Sequence, residues 1–172
     1  MTETIDIRRV TAGDIPALAA LSQRVFVATF VDDFAIPYDP DDLAGFLAKS
    51  HGEASFQGLM ANPAVEIWVA ESPAGLVGYA AAGPMTLPHA EAQPGDRELY
   101  RLYVDAACHG QGVAPRLMEA VGQVDWIGVW SGNIRARKFY ARYGFEKAGE
   151  YDYPVGRTLD REFILRRKGI RA

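Results

Sequence analysis

Two successive strand-to-helix transitions constrain the fold of this chain most strongly. Glu98–Val104 has the residue pattern of a strand, and the glycine-containing segment His109-Gly110-Gln111-Gly112-Val113-Ala114 follows it. Trp126–Trp130 is a second strand-like run, and Asn133 comes shortly after it. The crossover from Asp105 to Asp125 is longer than the roughly 10–12 residues that a strand–helix–strand connection needs. The sequence therefore predicts an α/β sheet with interposed helices.

The other segments are expected to complete a single domain over residues 1–172. Asp14 is a candidate N-cap for a helix that tolerates Pro16 in its first turn. Val31–Asp42 is rich in aspartate and proline and predicts an acidic loop, and Gly144 predicts a left-handed helix terminator. The remaining expected segments are strands at Ile5–Val10, Val65–Glu71, Leu76–Ala82, Glu146–Tyr153 and Leu159–Arg166, helices at Leu43–Lys49, Ala54–Ala61, Val113–Val121 and Arg135–Tyr143, an irregular stretch at Gly83–Asp96 and a turn at Pro154-Val155-Gly156.

Composition narrows the class of protein. Hydrophobic residues make up 49% and charged residues 23%, which is typical of a soluble globular domain. The net charge of -4 argues against nucleic acid as a partner. Cys108 is the single cysteine, so neither an intramolecular disulfide nor a cysteine cluster is expected. Met1–Thr4 lacks the start of a secretory signal, and no uninterrupted apolar stretch approaches membrane-spanning length, so the sequence predicts a cytoplasmic protein without a membrane partner.

The glycine-containing segment has the properties of a diphosphate site. A diphosphate needs several converging N–H donors, and a helix N-terminus supplies them with the favourable end of the helix dipole. Gly110 and Gly112 allow a tight turn and a close approach of the backbone to a phosphate. Pro115 has no N–H group, so it is expected at a position of the first helical turn where that donor is not needed. Because the segment lacks the Gly-Lys-Ser/Thr ending of a P-loop, a P-loop nucleotide hydrolase is excluded.

The runs Glu98–Val104, HGQGVAPRLM and GVWSGNIRARKFYARYGF resemble the GNAT superfamily of acyl-CoA N-acyltransferases. The resemblance extends from about Ile5 to Arg166 and is strongest over Glu98–Phe145. It implies a central mixed twisted sheet with flanking helices, in which acetyl-CoA, the cosubstrate, lies between two splayed parallel strands. His109 stands where the family has glutamine or arginine. The implied acetyl-CoA-binding residues are Leu102, Tyr103, Val104, His109, Gly110, Gln111, Gly112, Val113, Ala114, Asn133 and Tyr140.

The same resemblance implies an acid and a base for the reaction. An amine must lose a proton before it attacks a thioester, and the departing thiolate leaves better when an acid protonates it. Tyr140 matches the tyrosine of the family's N…FY…GF segment and is implied as this acid. Glu98 resembles the glutamate that relatives use as a base through water, and Tyr100 is a candidate lining residue of the acceptor cavity. No metal is expected, because His51 and His89 lack metal-ligand spacing.

The acceptor is predicted to be a small-molecule amine. Thr29-Phe30, Gly128-Val129-Trp130 and Val155-Gly156…Asp160 resemble the spermidine/spermine-type branch, which implies a polyamine. The aspartates Asp32, Asp33 and Asp39 are candidates to attract it, with cation–π contact from Trp130 or Tyr103. A protein N-terminus and an antibiotic amine are alternative acceptors, and a non-catalytic acyl-CoA-binding module is the alternative outside enzymes. The final hairpin is a candidate surface for a homodimer.

Overall fold

The computed structural model describes residues 4–169. Three residues at each end of the predicted domain lie outside this range. The expectation about a signal sequence rests mainly on Met1, Thr2 and Glu3, which are among them. The strands are β1 (Asp6–Arg9), β2 (Glu66–Ser72), β3 (Gly75–Pro84), β4 (Arg97–Val104), β5 (Trp126–Trp130), β6 (Phe145–Val155) and β7 (Thr158–Arg167). The α-helices are α1 (Ile15–Phe26), α2 (Pro40–His51), α3 (Glu53–Ala61), α4 (Val113–Val121) and α5 (Ile134–Ala141).

The seven strands form one mixed sheet in the order β1-β2-β3-β4-β5-β7-β6. All neighbouring strands in this order are antiparallel except β4 and β5, which are parallel. The parallel pair follows from the long crossover through α4, since parallel neighbours cannot be joined by a hairpin. The predicted fold class, an α/β domain with a central mixed sheet, a parallel pair and flanking helices, is confirmed.

Both faces of the sheet are covered. In β2, Ile67 and Val69 pack with α1 and α3, whereas Ala70 packs with α4 on the opposite face. Tyr79 in β3 is likewise on the α1 side and its neighbour Ala80 on the α4 side. Alternate residues of a strand point to opposite faces, so strands buried on both sides have the nearly continuous apolar sequence seen here. The central strands are therefore fixed between two helical layers.

The first helical segment is longer than the sequence indicated. A 3₁₀ turn, α1 and a π-helical turn, Val27–Asp33, run continuously from Ala12 to Asp33. An 18-residue window of the resulting 22-residue helix has a mean hydropathy of 1.3, so the helix could cross a membrane by length and composition alone. Gln23 and Arg24 interrupt its apolar residues, so the helix is not the uninterrupted apolar stretch that the sequence analysis considered. Leu18 and Leu21 of this helix are buried against the sheet, as in the core helix of a soluble domain.

The acidic loop is shorter than predicted. The π-helical turn occupies its beginning, and α2 occupies its end because Pro40 takes the first helical position and Asp39 caps the helix. The Asp39 carboxylate accepts hydrogen bonds from the backbone N–H groups of Asp41 and Asp42 at 3.0 and 3.2 Å. The predictions of a loop over Val31–Asp42 and of a helix limited to Leu43–Lys49 are therefore wrong in their bounds.

Two other boundaries differ from the predictions. The helix predicted over Arg135–Tyr143 is α5, which ends at Ala141, and Gly144 then has the expected left-handed conformation with φ of 84°. β6 continues through Pro154 to Val155, so the hairpin turn is formed by Gly156 and Arg157. Pro154 is tolerated because β6 is an edge strand, where a missing N–H leaves no ladder partner unsatisfied.

Candidate active site

A gap in the centre of the sheet positions the site. β4 and β5 share two register pairs, Glu98 with Trp126 and Leu99 with Ile127, and diverge beyond them. On the other side of β4, Ala82 pairs with Leu99 while Ala81 pairs with Arg101. Tyr100 is thus the extra residue of a β-bulge, and such a bulge bends its strand and increases the local twist. The bulge lies where β4 turns away from β5.

Two cavities meet at this gap. The first has a volume of about 520 Å³, is lined by residues 108–110, residues 112–115 and α5, and is called the glycine-loop cavity here. The second has a volume of about 610 Å³, lies on the α1 side and is called the aromatic cavity. Six residues line both cavities: Phe30, Leu102, Tyr103, Asn133, Ala136 and Tyr140. A molecule that enters from the glycine loop and one that enters from the aromatic side therefore meet beside these residues.

The glycine loop has the backbone geometry that the sequence predicted. Gly110 and Gly112 both have φ of 77°, a left-handed conformation that an L side chain rarely adopts. α4 begins directly after Gly112, and the N–H groups of its first turn have no partner within the helix. Gly112, Val113 and Ala114 line the glycine-loop cavity. This helix end fits a diphosphate, because the unpaired donors and the helix dipole act on the same anion.

Two residues of the predicted phosphate loop have other partners. The His109 imidazole lines the cavity, and its Nε2 lies 2.9 Å from the Val104 carbonyl oxygen. The Gln111 side chain donates to the Ala107 carbonyl at 2.9 Å, and its backbone N–H donates to the Cys108 carbonyl at 3.4 Å. Gln111 is the only predicted acetyl-CoA-binding residue that does not line the glycine-loop cavity. Both side chains hold the loop to its neighbouring backbone.

Two arginines of the α5 region line the glycine-loop cavity and were missed by the sequence analysis. They are Arg135 and Arg142, whereas the Arg116 guanidinium donates to the Ile5 carbonyl at 2.8 Å and lies outside the cavity lining. The two residues are seven positions apart, and this spacing places them on one face of a helical segment. That spacing was the signal available in the sequence. Their charge complements an anionic ligand bound at the loop.

Asn133 and Tyr140 lie where the two cavities join. The Asn133 amide oxygen accepts the Ala136 N–H at 3.0 Å and caps α5, which leaves the amide nitrogen as the donor for a ligand. Tyr140 is 7% exposed, and its ring contacts those of Phe139 and Phe145. Its hydroxyl has no hydrogen-bond partner among residues 4–169. Burial raises the pKa of Tyr140 well above its usual value, so the phenol keeps its proton at neutral pH.

Glu98 is a buried carboxylate in the wall of the aromatic cavity. It is 5% exposed, and its Oε2 accepts hydrogen bonds from both the backbone N–H and the hydroxyl of Thr86, each at 2.7 Å. Burial raises the pKa of Glu98, and the Thr86 donors oppose that shift. Tyr100 lines the same cavity and donates its hydroxyl to the Pro84 carbonyl at 2.6 Å. Glu98 and Tyr100, both named from the sequence, therefore lie in the wall of one cavity.

Two more carboxylates, both on β7, line the aromatic cavity. Asp160 is 7% exposed and accepts a hydrogen bond from the Tyr38 hydroxyl. Burial, followed by the charge of Asp160, raises the pKa of Glu162 to about 8. The sequence analysis missed Glu162, although its spacing of two from Asp160 places both side chains on one face of a strand.

The aspartates proposed to attract a cation lie away from this cavity. Asp39 caps α2 and pairs with Arg157 at 3.1 Å, and Asp33 lies 3.9 Å from Arg135. Asp32, Asp33 and Asp39 are all absent from the lining of the aromatic cavity, whereas Trp130 and Tyr103 are part of it. The negative charge beside the gap therefore comes from β4 and β7.

The histidine in the aromatic cavity is held in the core. His51 is 2% exposed, and its Nδ1 lies 2.6 Å from the Ser22 hydroxyl, which is itself 2.7 Å from that of Tyr79. Burial and the charge of Arg101 hold the pKa of His51 far below its usual range, so the imidazole is neutral. Within residues 4–169, no group of three or more His, Cys, Asp or Glu side chains is arranged to hold a metal ion.

Comparison with known families identifies the central part of the chain. Residues 63–147 match the family model described as an acetyltransferase (GNAT) domain. This stretch is a GNAT acetyltransferase domain. It contains the gap between β4 and β5, the glycine loop and α5.

Curated relatives of this chain are named N-acetyltransferases. An uncharacterised N-acetyltransferase of Lactobacillus delbrueckii subsp. lactis is 26% identical over 171 residues, covering 95% of this chain and 96% of its own. An uncharacterised N-acetyltransferase of Mycobacterium tuberculosis is 29% identical over 163 residues, covering 90% and 97%. Together with the GNAT domain, these relatives confirm the prediction of an N-acetyltransferase.

Solved structures share the fold over nearly the whole chain. PaiA N-acetyltransferase of Thermoplasma acidophilum, solved in complex with coenzyme A, superposes with a TM-score of 0.71 at 15% identity and covers 96% of this chain and 99% of its own. The ribosomal-protein-S18-alanine N-acetyltransferase of Escherichia coli has a TM-score of 0.64 at 17% identity, with coverage of 98% and 99%. At these identities the similarity establishes the fold alone.

Proposed function

We propose that the protein transfers the acetyl group of acetyl-CoA to a primary amine of a cationic small molecule, by direct attack of the amine on the thioester. One observation carries the proposal: the gap opens on the glycine loop on one side and on an acidic, aromatic cavity on the other, with Tyr140 lining both. A donor with a diphosphate and an acceptor with an ammonium group would meet at that residue.

The glycine-loop cavity supports binding of acetyl-CoA. The first turn of α4 would receive the diphosphate, and Arg135 and Arg142 would add positive charge. The pantetheine arm would then extend along β4 past Leu102, Tyr103 and Val104 toward Asn133. The related fold of PaiA is known in complex with coenzyme A, which supports the same class of ligand here.

The chemistry requires one acid and one base beside the thioester. Tyr140 is our proposed acid: its buried, protonated hydroxyl would donate to the departing thiolate. A carboxylate of the aromatic cavity would take a proton from the incoming ammonium. The family resemblance gives this role to Glu98 acting through water, and Glu98 lines this cavity.

A polyamine is the acceptor that we propose within this class. The carboxylates of Glu98, Asp160 and Glu162 attract cations, and the rings of Tyr103 and Trp130 offer cation–π contact in the same cavity. A protein N-terminus, an antibiotic amine and an idle acyl-CoA-binding module are the competing outcomes. Homodimerisation through the final hairpin and a cytoplasmic location also stay predictions.

An acetyl-CoA consumption assay across spermidine, lysine, peptides and aminoglycosides tests the function. We expect turnover with spermidine and a fall in kcat of about 10²–10⁴ in Tyr140→Phe, since that is the usual contribution of a positioned acid. Tyr143→Phe is the matched control, because Tyr143 lies in the turn directly after α5 but outside the lining of both cavities. Unchanged turnover in Tyr140→Phe would remove that residue from its role. Coenzyme A binding without turnover on any amine would favour the idle module.

A further inference from the structure

One carboxylate of the aromatic cavity has no partner for its charge. The Glu162 side chain makes no hydrogen bond or ion pair with another residue of the described range 4–169. The other two carboxylates differ, because Glu98 accepts two hydrogen bonds from Thr86 and Asp160 accepts one from Tyr38. A buried acidic group without donors is costly unless it is neutral or meets a cation. Glu162 is therefore available to a ligand in a way that the other two are not.

The sheet register places Glu162 beside the open part of the gap. Glu162 pairs with Trp130 across β5 and β7, and paired residues of an antiparallel sheet point to the same face. The last pair between β4 and β5 involves Ile127, so Trp130 lies three residues, or about 10 Å, beyond the point where the strands separate. Glu98 instead pairs with Trp126 at the closed end of the gap.

The surroundings of Glu162 suit a group that takes and returns a proton. Burial and the neighbouring Asp160 disfavour its charged form, and its pKa of about 8 is close to physiological pH, where a base is most effective. An ammonium ion brought into the cavity would favour the ionised form. The charge of Glu162 in turn raises the pKa of tyrosines on three other segments, namely Tyr38 before α2, Tyr103 on β4, and Tyr151 and Tyr153 on β6.

We propose that Glu162 is the proton acceptor for the amine, in the role that the family resemblance gives to Glu98. This inference rests on the proposed function. The Glu162 carboxylate takes one proton from the ammonium group, and the freed lone pair forms a C–N bond to the thioester carbonyl carbon. The C–S bond breaks, Tyr140 gives its proton to the thiolate sulfur, and the second proton lost by the nitrogen restores the phenol. The products are the acetamide, coenzyme A thiol and protonated Glu162.

The pH dependence of kcat at saturating acetyl-CoA and spermidine tests this assignment. In the wild-type enzyme, kcat is expected to rise with pH through the ionisation of Glu162. Glu162→Gln should abolish this rise and lower kcat by about 10²-fold or more, whereas Glu162→Asp should retain it at a reduced rate. Glu98→Gln is the matched variant and should keep the rise. Asp160→Asn should move the rise to lower pH, because it removes the neighbouring like charge.

The outcomes separate this inference from the proposed function. If kcat still rises with pH in Glu162→Gln but no longer does so in Glu98→Gln, Glu98 is the proton acceptor. That result would overturn this inference and leave the proposed function intact. A rise that does not move in Asp160→Asn would also overturn it. If the wild-type enzyme acetylates no amine in the panel, the proposed function fails and this inference fails with it.

Discussion

At the residue scale, the carboxyl group of the half-buried Glu162 makes stability depend on pH. Its pKa is about 8 in the folded protein and about 4.5 without the fold, so the folded state binds more protons between these values. The contribution of Glu162 is therefore fully present below about pH 4.5 and is lost as pH rises toward 8, by at most about 1.4 kcal/mol per pH unit. A side chain that is neutral at every pH would not lose stability in this range.

Glu162→Gln is accordingly expected to gain stability relative to wild type as pH rises from 5 to 8.5. Urea unfolding at several pH values measures the difference, and it requires no substrate. Glu119→Gln is the control, because Glu119 is an exposed glutamate on α4 and its substitution should leave the pH profile unchanged. Equal stability differences at pH 5 and pH 8.5 in Glu162→Gln would show that the carboxyl ionises normally in the folded protein.

The sequence predicted some residues of the candidate site better than others. Tyr140 and Asn133 belong to a local segment, so their positions on α5 follow from motif spacing alone. Glu162 becomes part of the site only because β7 inserts beside β5, a long-range pairing that no local pattern encodes. The same holds for Asp33 and Asp39, whose partners Arg135 and Arg157 are distant in sequence.

At the element scale, a side chain at Gly112 is expected to interfere with a ligand at the start of α4 more than with folding. An added Cβ would meet no atom within 4 Å, so the cost to folding is the left-handed backbone alone, about 1–2 kcal/mol. The same open space is where we place the diphosphate. Gly112→Ala should therefore weaken coenzyme A binding at least tenfold in a calorimetric titration.

Gly95→Ala is the matched control for this prediction. Gly95 also has a positive φ, 89°, with open space around it, but it lies in the loop before β4 and outside the lining of both cavities. The two variants should lose similar stability in urea unfolding, while Gly95→Ala keeps the wild-type affinity for coenzyme A. Equal affinities in both variants would contradict a diphosphate site at this helix end.

Element boundaries show where sequence patterns were sufficient. α4 has the predicted bounds, because Gly112 and Gly122 flank a short amphipathic run and both have a positive φ. The end of the first helix was misjudged because Asp32 and Asp33 suggest a loop, whereas Phe30 packs beside Phe26 and continues the helix as a π-helical turn. Aromatic packing outweighed a polar local sequence there, as tertiary contacts commonly do.

At the scale of the whole molecule, the gap divides the sheet into two parts. β1–β4 form one part and β5–β7 the other, and between them are the two register pairs at Glu98 and Leu99. Two hydrogen bonds between Arg97 and Asp125, at 2.8 and 2.9 Å, extend this short connection. Beyond it, the facing edges of β4 and β5 are separated, so a ligand in the gap would contact both parts of the sheet.

Coenzyme A is therefore expected to protect backbone amides on both walls of the gap. A ligand that contacts β4 and β5 must leave before they separate, so it raises the free energy of opening for both. Hydrogen–deuterium exchange with and without coenzyme A should show slower exchange at residues 102–104, 109–114 and 128–130. The hairpin turn at Gly156 and Arg157 is the internal control and should not change, and Gly112→Ala should show little protection at the same ligand concentration. Slower exchange at residues 109–114 alone would mean that the ligand rests on the glycine loop without entering the gap, and the acetyl group would then lie away from Tyr140.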